Sequence, residues 1–402
     1  MNASYSKSSF FGKIMKQHSI LIVGGGAIGI SSALALQKRG FQVTLLDRQA
    51  PPHPEASSTD ISKIVRADYG NDDLYADLME LAWDSWQSWR LPNGELLFRQ
   101  VGVLMLSQQE MQAGGYEYES FTRMAQRGHA VERMLPATLH QRFPFFAHTH
   151  YADGYFNPHA GWAPSSRVIS FLLAQCQAAG VQMRIGEFAE LMEADGRIAG
   201  VVCTDGERYS ADWVILSMGA WTPQVVPELH GLVKSVGQPV VHFLAQDPAA
   251  QHIPAWGADI PNTGWYGFPA TAEGVFKVGN HGPGFAWKPS DPLAVPSAVI
   301  GVFREFVERT FPSLRGAPVH STRLCLYCDT FDGNFWIDHH PQKSGLLVAA
   351  GGSGHAFKFA PVIGDVVADV LEGKQNPFAP RFAWRTFQEG QKEQLRAVVF
   401  GN

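Results

Sequence analysis

At 402 residues, 45% of them hydrophobic and 17% charged, the chain is too long for one ordinary core and suits two or three soluble globular domains. A formal charge of −5 with no basic run leaves no electrostatic footprint for nucleic acid, and no stretch of 18 or more apolar residues reads as a membrane span. Four scattered cysteines, Cys176, Cys203, Cys325 and Cys328, are too few for a disulfide framework and fit a reducing compartment, so a cytoplasmic location is expected.

Residues 1–18 carry three lysines and several serines without an acid. They read as a disordered extension before the first strand, since both arginine and a secretory apolar region are missing. From Ser19 to Asp47 come an apolar run, the turn Gly24-x-Gly26-x-x-Gly29, a helix, a second apolar run and a terminal carboxylate. These parts are physically coupled. Gly24 permits the tight exit from the strand, Gly26 lets backbone approach a pyrophosphate, and Gly29 lets the helix pack on the sheet. Ala27 and Ile28 belong to the same cofactor-binding turn, at a helix N-terminus that favours negative charge. Asp47 is placed to accept hydrogen bonds from an adenosine ribose, which argues for FAD or NAD over NADP, although Arg48 follows it directly.

Beyond Asp47, Pro51, Pro52 and Pro54 interrupt regular structure before the segment DISKIVRADYG at residues 60–70, and a helix is expected over 74–89. Residues 102–106 form a strand candidate, and 168–178 a helix leading to a strand at 181–185. Short strands are expected at 200–203, 208–209 and 213–216, the last ending in SMGAW, where Gly219 permits a tight turn. Residues 230–325 are dominated by proline, aromatic residues and extended runs such as VVHFLA, GWYGFP and GVFKVGN, and read as antiparallel sheet. An apolar run at 345–350, a glycine turn at 351–355 and a helix over 357–371 close the pattern.

The fold class is therefore α/β (α+β). A Rossmann-type nucleotide-binding domain is assembled discontinuously from residues 19–95, 155–228 and 326–390, and a second, antiparallel-sheet substrate domain from 96–154 and 229–325.

Seven motifs, in order, are GGGAIG at 24–29, KIVRADYG at 63–70, SMGAW at 217–221, YGFP at 266–269, FKVGNHG at 276–282, CLYCDTFDGNF at 325–335 and GGSGHAFKF at 351–359. Together they resemble the monomeric sarcosine oxidase family, which includes N-methyltryptophan oxidase, pipecolate oxidase and the fructosyl amino acid oxidases. The resemblance spans almost the whole chain. It implies a monomeric FAD enzyme that oxidises secondary amines of amino acids and delivers electrons to molecular oxygen.

The resemblance also implies roles. Cys325 carries a covalent thioether to the flavin, with Cys328 the lesser candidate because its spacing to Asp329-Thr330 is shorter. Lys277 stabilises superoxide near the flavin, where a fixed cation lowers the energy of an anion formed in a low-dielectric pocket. Arg66 and Lys358 bind the substrate carboxylate, arginine as a bidentate fork and lysine as a point charge. In the first turn of the final helix, Lys358 would oppose the helix dipole unless an anion lay nearby. Tyr266, Tyr327 and His281 border the substrate or flavin. Ser58, Lys63, Gly354, His355, Phe357 and Lys358 join Arg48 and the glycine turn in the cofactor-binding set.

No metal is expected, because His148, His150 and the run Asp338-His339-His340 lack converging ligands. The leading substrate is an N-methyl or cyclic imino amino acid, and the alternative is a fructosyl amino acid. More distant alternatives are an amine dehydrogenase with a non-oxygen acceptor and a flavoprotein without catalysis. Asn71 stands where the sarcosine branch carries an acid. Trp256, Trp265 and Trp287 are candidates either for an aromatic entrance or for the core.

Overall fold

The computed structural model describes residues 18–387 and Arg396. Of the extension expected over residues 1–18, all but His18 lies outside the described residues. The described residues divide into two compact units, one comprising residues 18–59, Ser166–Lys234 and 328–387, the other Asp60–Ser165 and Ser235–Tyr327 with Arg396. This division sets residues 60–95 and 155–165 with the second unit, whereas the sequence reading kept them with the first.

The first unit is built on a six-stranded sheet in the order Trp336–His339, Leu346–Ala350, Trp213–Leu216, Ser19–Val23, Gln42–Asp47, Gln182–Ile185. All neighbours are parallel except the antiparallel pair Trp336–His339 and Leu346–Ala350. The central strands are almost continuous runs of Ile, Leu and Val because a parallel sheet is covered on both faces, so both sides of each strand are buried. The helices Ala27–Lys38 and Ile363–Leu371 pack closely: a Cβ on Gly364 would stand 2.1 Å from the Ser31 carbonyl oxygen, and the Ser31 hydroxyl donates to the Ala360 carbonyl at 2.7 Å. Arg39 clamps their far ends by donating to Asp369 at 2.7 Å and Glu372 at 2.6 Å. A separate antiparallel sheet joins Phe188–Ala194, Arg197–Cys203 and Arg208–Ser210.

The second unit carries a nine-stranded sheet. Its path runs Phe285–Ala286, Val233–Leu244, Val275–Asn280, Trp265–Gly267, Ala255–Ala258, Val103–Ser107, Asp153–Asn157, Glu132–Arg133, and Val319–Thr330 also pairs Val233–Leu244. Pairing along the path is antiparallel except that Ala255–Ala258 lies parallel to Val103–Leu106, which the sequence did not announce. A parallel neighbour needs a long crossover, and here the chain between the two strands includes four α-helices.

Residues 230–325 also contain a helix where only extended structure was expected, Ser297–Thr310. Its buried positions Val299, Phe303, Phe306, Val307 and Thr310 follow a helical period, masked in sequence by β-branched and aromatic residue types. Trp256 packs among Phe146, Phe276, Phe306 and Phe311, and Trp265 stacks on Phe306 at 4.2 Å, so these two tryptophans are core and line no entrance.

Candidate functional site

In the first unit the glycine turn makes a cradle out of backbone. Gly24 has φ of +108°, and a Cβ there would stand 2.3 Å from the Ser217 carbonyl oxygen. At Gly29 a Cβ would stand 1.9 Å from the Gly24 carbonyl oxygen, so this glycine lets helix meet strand. Gly26 differs. Its backbone is extended, with φ of −76°, and a Cβ would meet only the Ser58 hydroxyl, at 3.4 Å. The space beside Gly26 is open, and the helix Ala27–Lys38 starts there with no acidic residue in its first turn.

That combination fits a pyrophosphate: open backbone, free volume and the positive end of a 12-residue helix. Ser58 Oγ accepts from the Ala27 N–H at 3.3 Å, and one Asp47 carboxylate oxygen accepts from the Gly25 N–H at 2.6 Å, fixing the acid at the end of the second strand. Ile28 follows within the first helical turn. Arg48 is engaged locally, donating to His53 at 2.8 Å, pairing with Glu55 and lying 4.6 Å from the centre of a Trp221 ring.

Two motifs far apart in sequence are knit together in the same unit. Thr330 donates its N–H to the Ser353 hydroxyl at 3.2 Å and its own hydroxyl to the Asn334 carbonyl at 2.7 Å. The His355 ring stacks on Phe335 at 4.9 Å, and its Nε2 lies 3.0 Å from the Gly333 carbonyl oxygen, which requires the proton on Nε2. Gly354 has φ of +76° and supports the reversal before Phe357, which is buried.

The helix expected over 357–371 is divided here. Ala356–Phe359 is a 3₁₀ turn, and the α-helix begins only at Ile363. Pro361 lacks the N–H that would donate to the Phe357 carbonyl, so a continuous α-helix cannot form. Lys358 therefore does not sit in the first turn of the long helix. It lies buried in the 3₁₀ turn, and its Nζ donates to the His355 carbonyl at 3.0 Å.

The second unit concentrates charge on and beside its sheet. Lys277, only 1% exposed, alternates inward on Val275–Asn280. Its Nζ donates to Asp60 Oδ2 at 2.6 Å and to the Ser62 carbonyl at 2.7 Å, and lies 4.9 Å from the centre of the Phe268 ring. Burial lowers the Lys277 pKa to about 8, with Asp60 opposing the fall and Lys63 adding to it. Burial alone would raise the Asp60 carboxyl, yet Lys277, with His242 and Lys63, holds it well below the usual range.

Lys63 Nζ approaches Cys325 Sγ at 3.6 Å, and Cys325 is buried. Burial pushes the Cys328 thiol up to about 12, which keeps it protonated and unreactive. The Tyr266 phenol is held well above its ordinary pKa by burial and by its hydrogen-bonded neighbour Tyr327. Gly279 makes room for that phenol, since a Cβ there would stand 2.5 Å from its oxygen. The His281 and Tyr327 ring centres are 6.0 Å apart.

Arg66 follows on the segment that starts at Asp60. Its Nη1 donates to Tyr116 Oη at 2.7 Å and to the Asp68 carbonyl, while the Tyr69 and Tyr116 rings lie 5.7 and 5.8 Å from its guanidinium carbon. The Asp68 carboxylate is occupied elsewhere, accepting from Tyr155 Oη at 2.9 Å and Asn157 Nδ2 at 3.1 Å. Among the described residues no side-chain carboxylate pairs with Arg66, and its Nε is buried without a hydrogen-bond partner.

Thus Lys277, Lys63, Cys325, Tyr266, Tyr327, His281 and Arg66 belong to the second unit, and Lys358, His355 and the glycine turn to the first. Sequence reasoning passed over Asp60, His242, Tyr116 and Asp68. One signal was available: a lysine at an inward strand position requires a counter-charge. Among the described residues no group of three or more His, Cys, Asp or Glu side chains could hold a metal ion, and no helix is long and apolar enough to cross a membrane.

Known proteins resemble this chain over most of its length. The chain is 28% identical to N-methyl-L-tryptophan oxidase of Salmonella dublin, over 90% of this chain and 96% of the relative. It is also 28% identical to monomeric sarcosine oxidase of Bacillus sp. strain NS-129, over 87% and 92% respectively. Among solved structures, a fructosyl peptide oxidase from E. terrenum matches with a TM-score of 0.81 and 25% identity, covering 94% of this chain and 95% of that one. A family model described as FAD dependent oxidoreductase matches residues 19–370, which carry the cradle and the buried lysine alike, and the chain belongs to that family.

Proposed function

We propose that the protein is an FAD-dependent oxidase of secondary, N-substituted amino acids, with an N-methyl or cyclic imino amino acid as substrate. The observation that carries this reading is Arg66, a cation held by two tyrosines and a backbone carbonyl with no carboxylate of its own. Burying such a charge is costly unless an anion completes it, and a substrate carboxylate does so with fork geometry. Tyr266, Tyr327 and His281 supply an apolar, hydrogen-bonded wall, and Lys358 a second point charge. FAD, when bound by these residues, would supply the acceptor for hydride from the C–N bond and the electron pair taken up by oxygen. The resulting imine hydrolyses in water. Lys277 provides fixed positive charge where oxygen becomes an anion.

The Gly24–Gly29 turn would hold the pyrophosphate and Asp47 the ribose. Cys325 would carry the flavin through a thioether, and Lys63 Nζ stands 3.6 Å from its sulfur. A monomer fits the name of the Bacillus relative, and four free cysteines suit a cytoplasmic setting. A second reading, oxidation of fructosyl amino acids, draws on the likeness to the E. terrenum enzyme.

One experiment separates the readings. The purified yellow protein is mixed without oxygen with sarcosine, N-methyl amino acids, proline, pipecolate and fructosyl amino acids, then exposed to oxygen while peroxide is recorded. Bleaching by N-methyl or cyclic substrates, followed by peroxide, is expected. Bleaching by fructosyl substrates alone transfers the assignment to deglycation, and bleaching without peroxide identifies a dehydrogenase. Cys325→Ser is expected to leave FAD extractable from denatured protein, and FAD that stays attached would remove Cys325 from that role.

A further inference from the structure

Lys277 does not stand alone with Asp60. His242 is its direct cross-strand partner in the antiparallel pairing of Val233–Leu244 with Val275–Asn280. Residues opposed in this way project from the same face of the sheet. The buried His242 Nε2 lies 3.5 Å from Asp60 Oδ1, while Asp60 Oδ2 holds Lys277. On its other side, His242 Nδ1 lies 2.9 Å from the Ser321 hydroxyl. Ser321 belongs to Val319–Thr330, the next strand along, and is exposed. Three adjacent strands therefore present Lys277, His242 and Ser321 in a row, with the Asp60 carboxylate hydrogen-bonded to Lys277 and within ion-pair distance of His242, whose Nε2 has no hydrogen-bond partner at rest among the described residues.

We propose that Ser321, His242 and Asp60 form a proton path from solvent to Lys277, with His242 as its relay. This rests on the reading of Lys277 as the group that serves oxygen. The stoichiometry requires a source of this kind. Imine formation gives up a hydride and, on the substrate side, the N–H proton; turning oxygen into hydrogen peroxide takes the two electrons and proton of the hydride and one proton more, so the proton released to solvent by the amine has to be returned where oxygen is reduced. Lys277 is almost fully buried and cannot collect it directly. An imidazole can, because it takes a proton on one nitrogen while releasing another from the opposite one. A proton entering at Nδ1 through Ser321 releases Nε2–H to Asp60 Oδ1, and rotation of the carboxyl group carries that proton to Lys277 once the lysine has given its own to reduced oxygen. A lysine and carboxylate pair serving only structure would need no histidine joined to the surface. The groups facing this row are Lys63 from the segment beside Asp60 and Cys325 from Val319–Thr330.

The test uses the FAD-loaded protein, bleached by its substrate and then mixed rapidly with oxygen in H₂O and D₂O. In His242→Gln, reoxidation is expected to fall about tenfold or more beyond any change in anaerobic bleaching, with a larger solvent isotope effect and recovery on adding imidazole. Reoxidation that follows bleaching to within about twofold overturns the path. Ser321→Ala, at the exposed end, is the second variant if His242→Gln accumulates poorly. It is expected to slow reoxidation about threefold, and wild-type rates and isotope effects overturn the proposal.

A readout independent of turnover is the His242 ring resonance, identified by its loss in His242→Gln. Removing the cation in Lys277→Met leaves Asp60 to His242, so the ring's chemical shifts are expected to move, and unmoved resonances overturn the coupling. Lys277→Met also tests the underlying reading separately. If its reoxidation is unimpaired, Lys277 does not serve oxygen. If it is impaired while His242→Gln is not, Lys277 serves oxygen but draws its proton elsewhere.

Discussion

The two units build their sites from different materials. In the first, the site is mostly backbone: Gly24, Gly26 and Gly29 contribute by lacking side chains, and the helix that starts at Ala27 contributes its end. In the second, the site is nearly all side chain, with a lysine, a carboxylate and a histidine drawn from well-separated stretches and buried together, and a half-buried arginine six residues beyond the carboxylate. A backbone site binds charge through dipoles that cost nothing to hold in place. A side-chain site must bury full charges, so its members depend on one another, and removing one leaves its partner exposed to the whole desolvation cost.

The largest test of this contrast is Gly29→Ala. The new Cβ would meet the Gly24 carbonyl oxygen, which is backbone and cannot turn aside. The expected loss exceeds about 5 kcal/mol, read as absence of cooperative urea unfolding in soluble protein. A variant melting within a few degrees of the wild type would show that the helix can slide, and that the cradle is less rigid than drawn.

Next in size is Asp60→Asn. It leaves Lys277 buried with no counter-charge, and breaking such a pair costs about 3–5 kcal/mol. The pH dependence has a defined sign. The folded Lys277 pKa is about 8 against an ordinary 10.5, so between those values the unfolded chain binds more protons and stability rises with pH. Without Asp60 the folded value falls further, and the rising window extends to lower pH. Urea midpoints across pH 6–10 read both effects, and a double variant with Lys277→Met is expected to recover part of the loss. Additive losses in the double variant would show that the two groups are not coupled.

The same contrast explains how much was legible in the sequence. The glycine turn, its flanking strands and Asp47 lie within one short stretch, where each residue's reason is local, and the parallel core follows from continuous apolar runs. The break at Pro361 was also legible, because a proline cannot donate within a helix. By contrast, Lys277 meets Asp60 across 217 positions, and nothing near either residue announces the other. His242 faces Lys277 only through strand register, which a single sequence does not specify. The helix Ser297–Thr310 was hidden for a related reason: its Val and Phe residues suit strands by type, and its packing decided otherwise.

Glu117 gives the second unit a smaller test. It stands on the helix Tyr116–Gln126, next to the tyrosine that holds Arg66, and its Oε1 is buried without a hydrogen-bond partner. Burial, with Asp259 nearby, raises its pKa from 4.5 to about 7. The folded state therefore keeps a proton that the unfolded chain releases, so stability is full below pH 4.5 and declines as pH rises toward 7. The shift corresponds to about 3 kcal/mol. Glu117→Gln is expected to flatten that decline and to be the more stable protein at pH 8. A wild-type slope in the variant would place the titration elsewhere.

Gly26→Ala is expected to disturb stability least and bears most directly on what the cradle is for. Gly26 has an extended backbone that any residue adopts, and its Cβ would touch nothing closer than the Ser58 hydroxyl at 3.4 Å. Unfolding of the FAD-free protein should stay within about 0.5 kcal/mol of the wild type, as for substitutions that disturb no packed feature. The methyl group instead occupies the open space above the helix N-terminus, where the proposed pyrophosphate would approach backbone. FAD retained per chain after desalting is therefore expected to fall sharply while the melting curve barely moves. This inverts the pattern at Gly29, where fold and cofactor are lost together. If the Gly26 variant kept its FAD, the phosphates would have to lie elsewhere along the turn, and Gly26 would be an accident of composition.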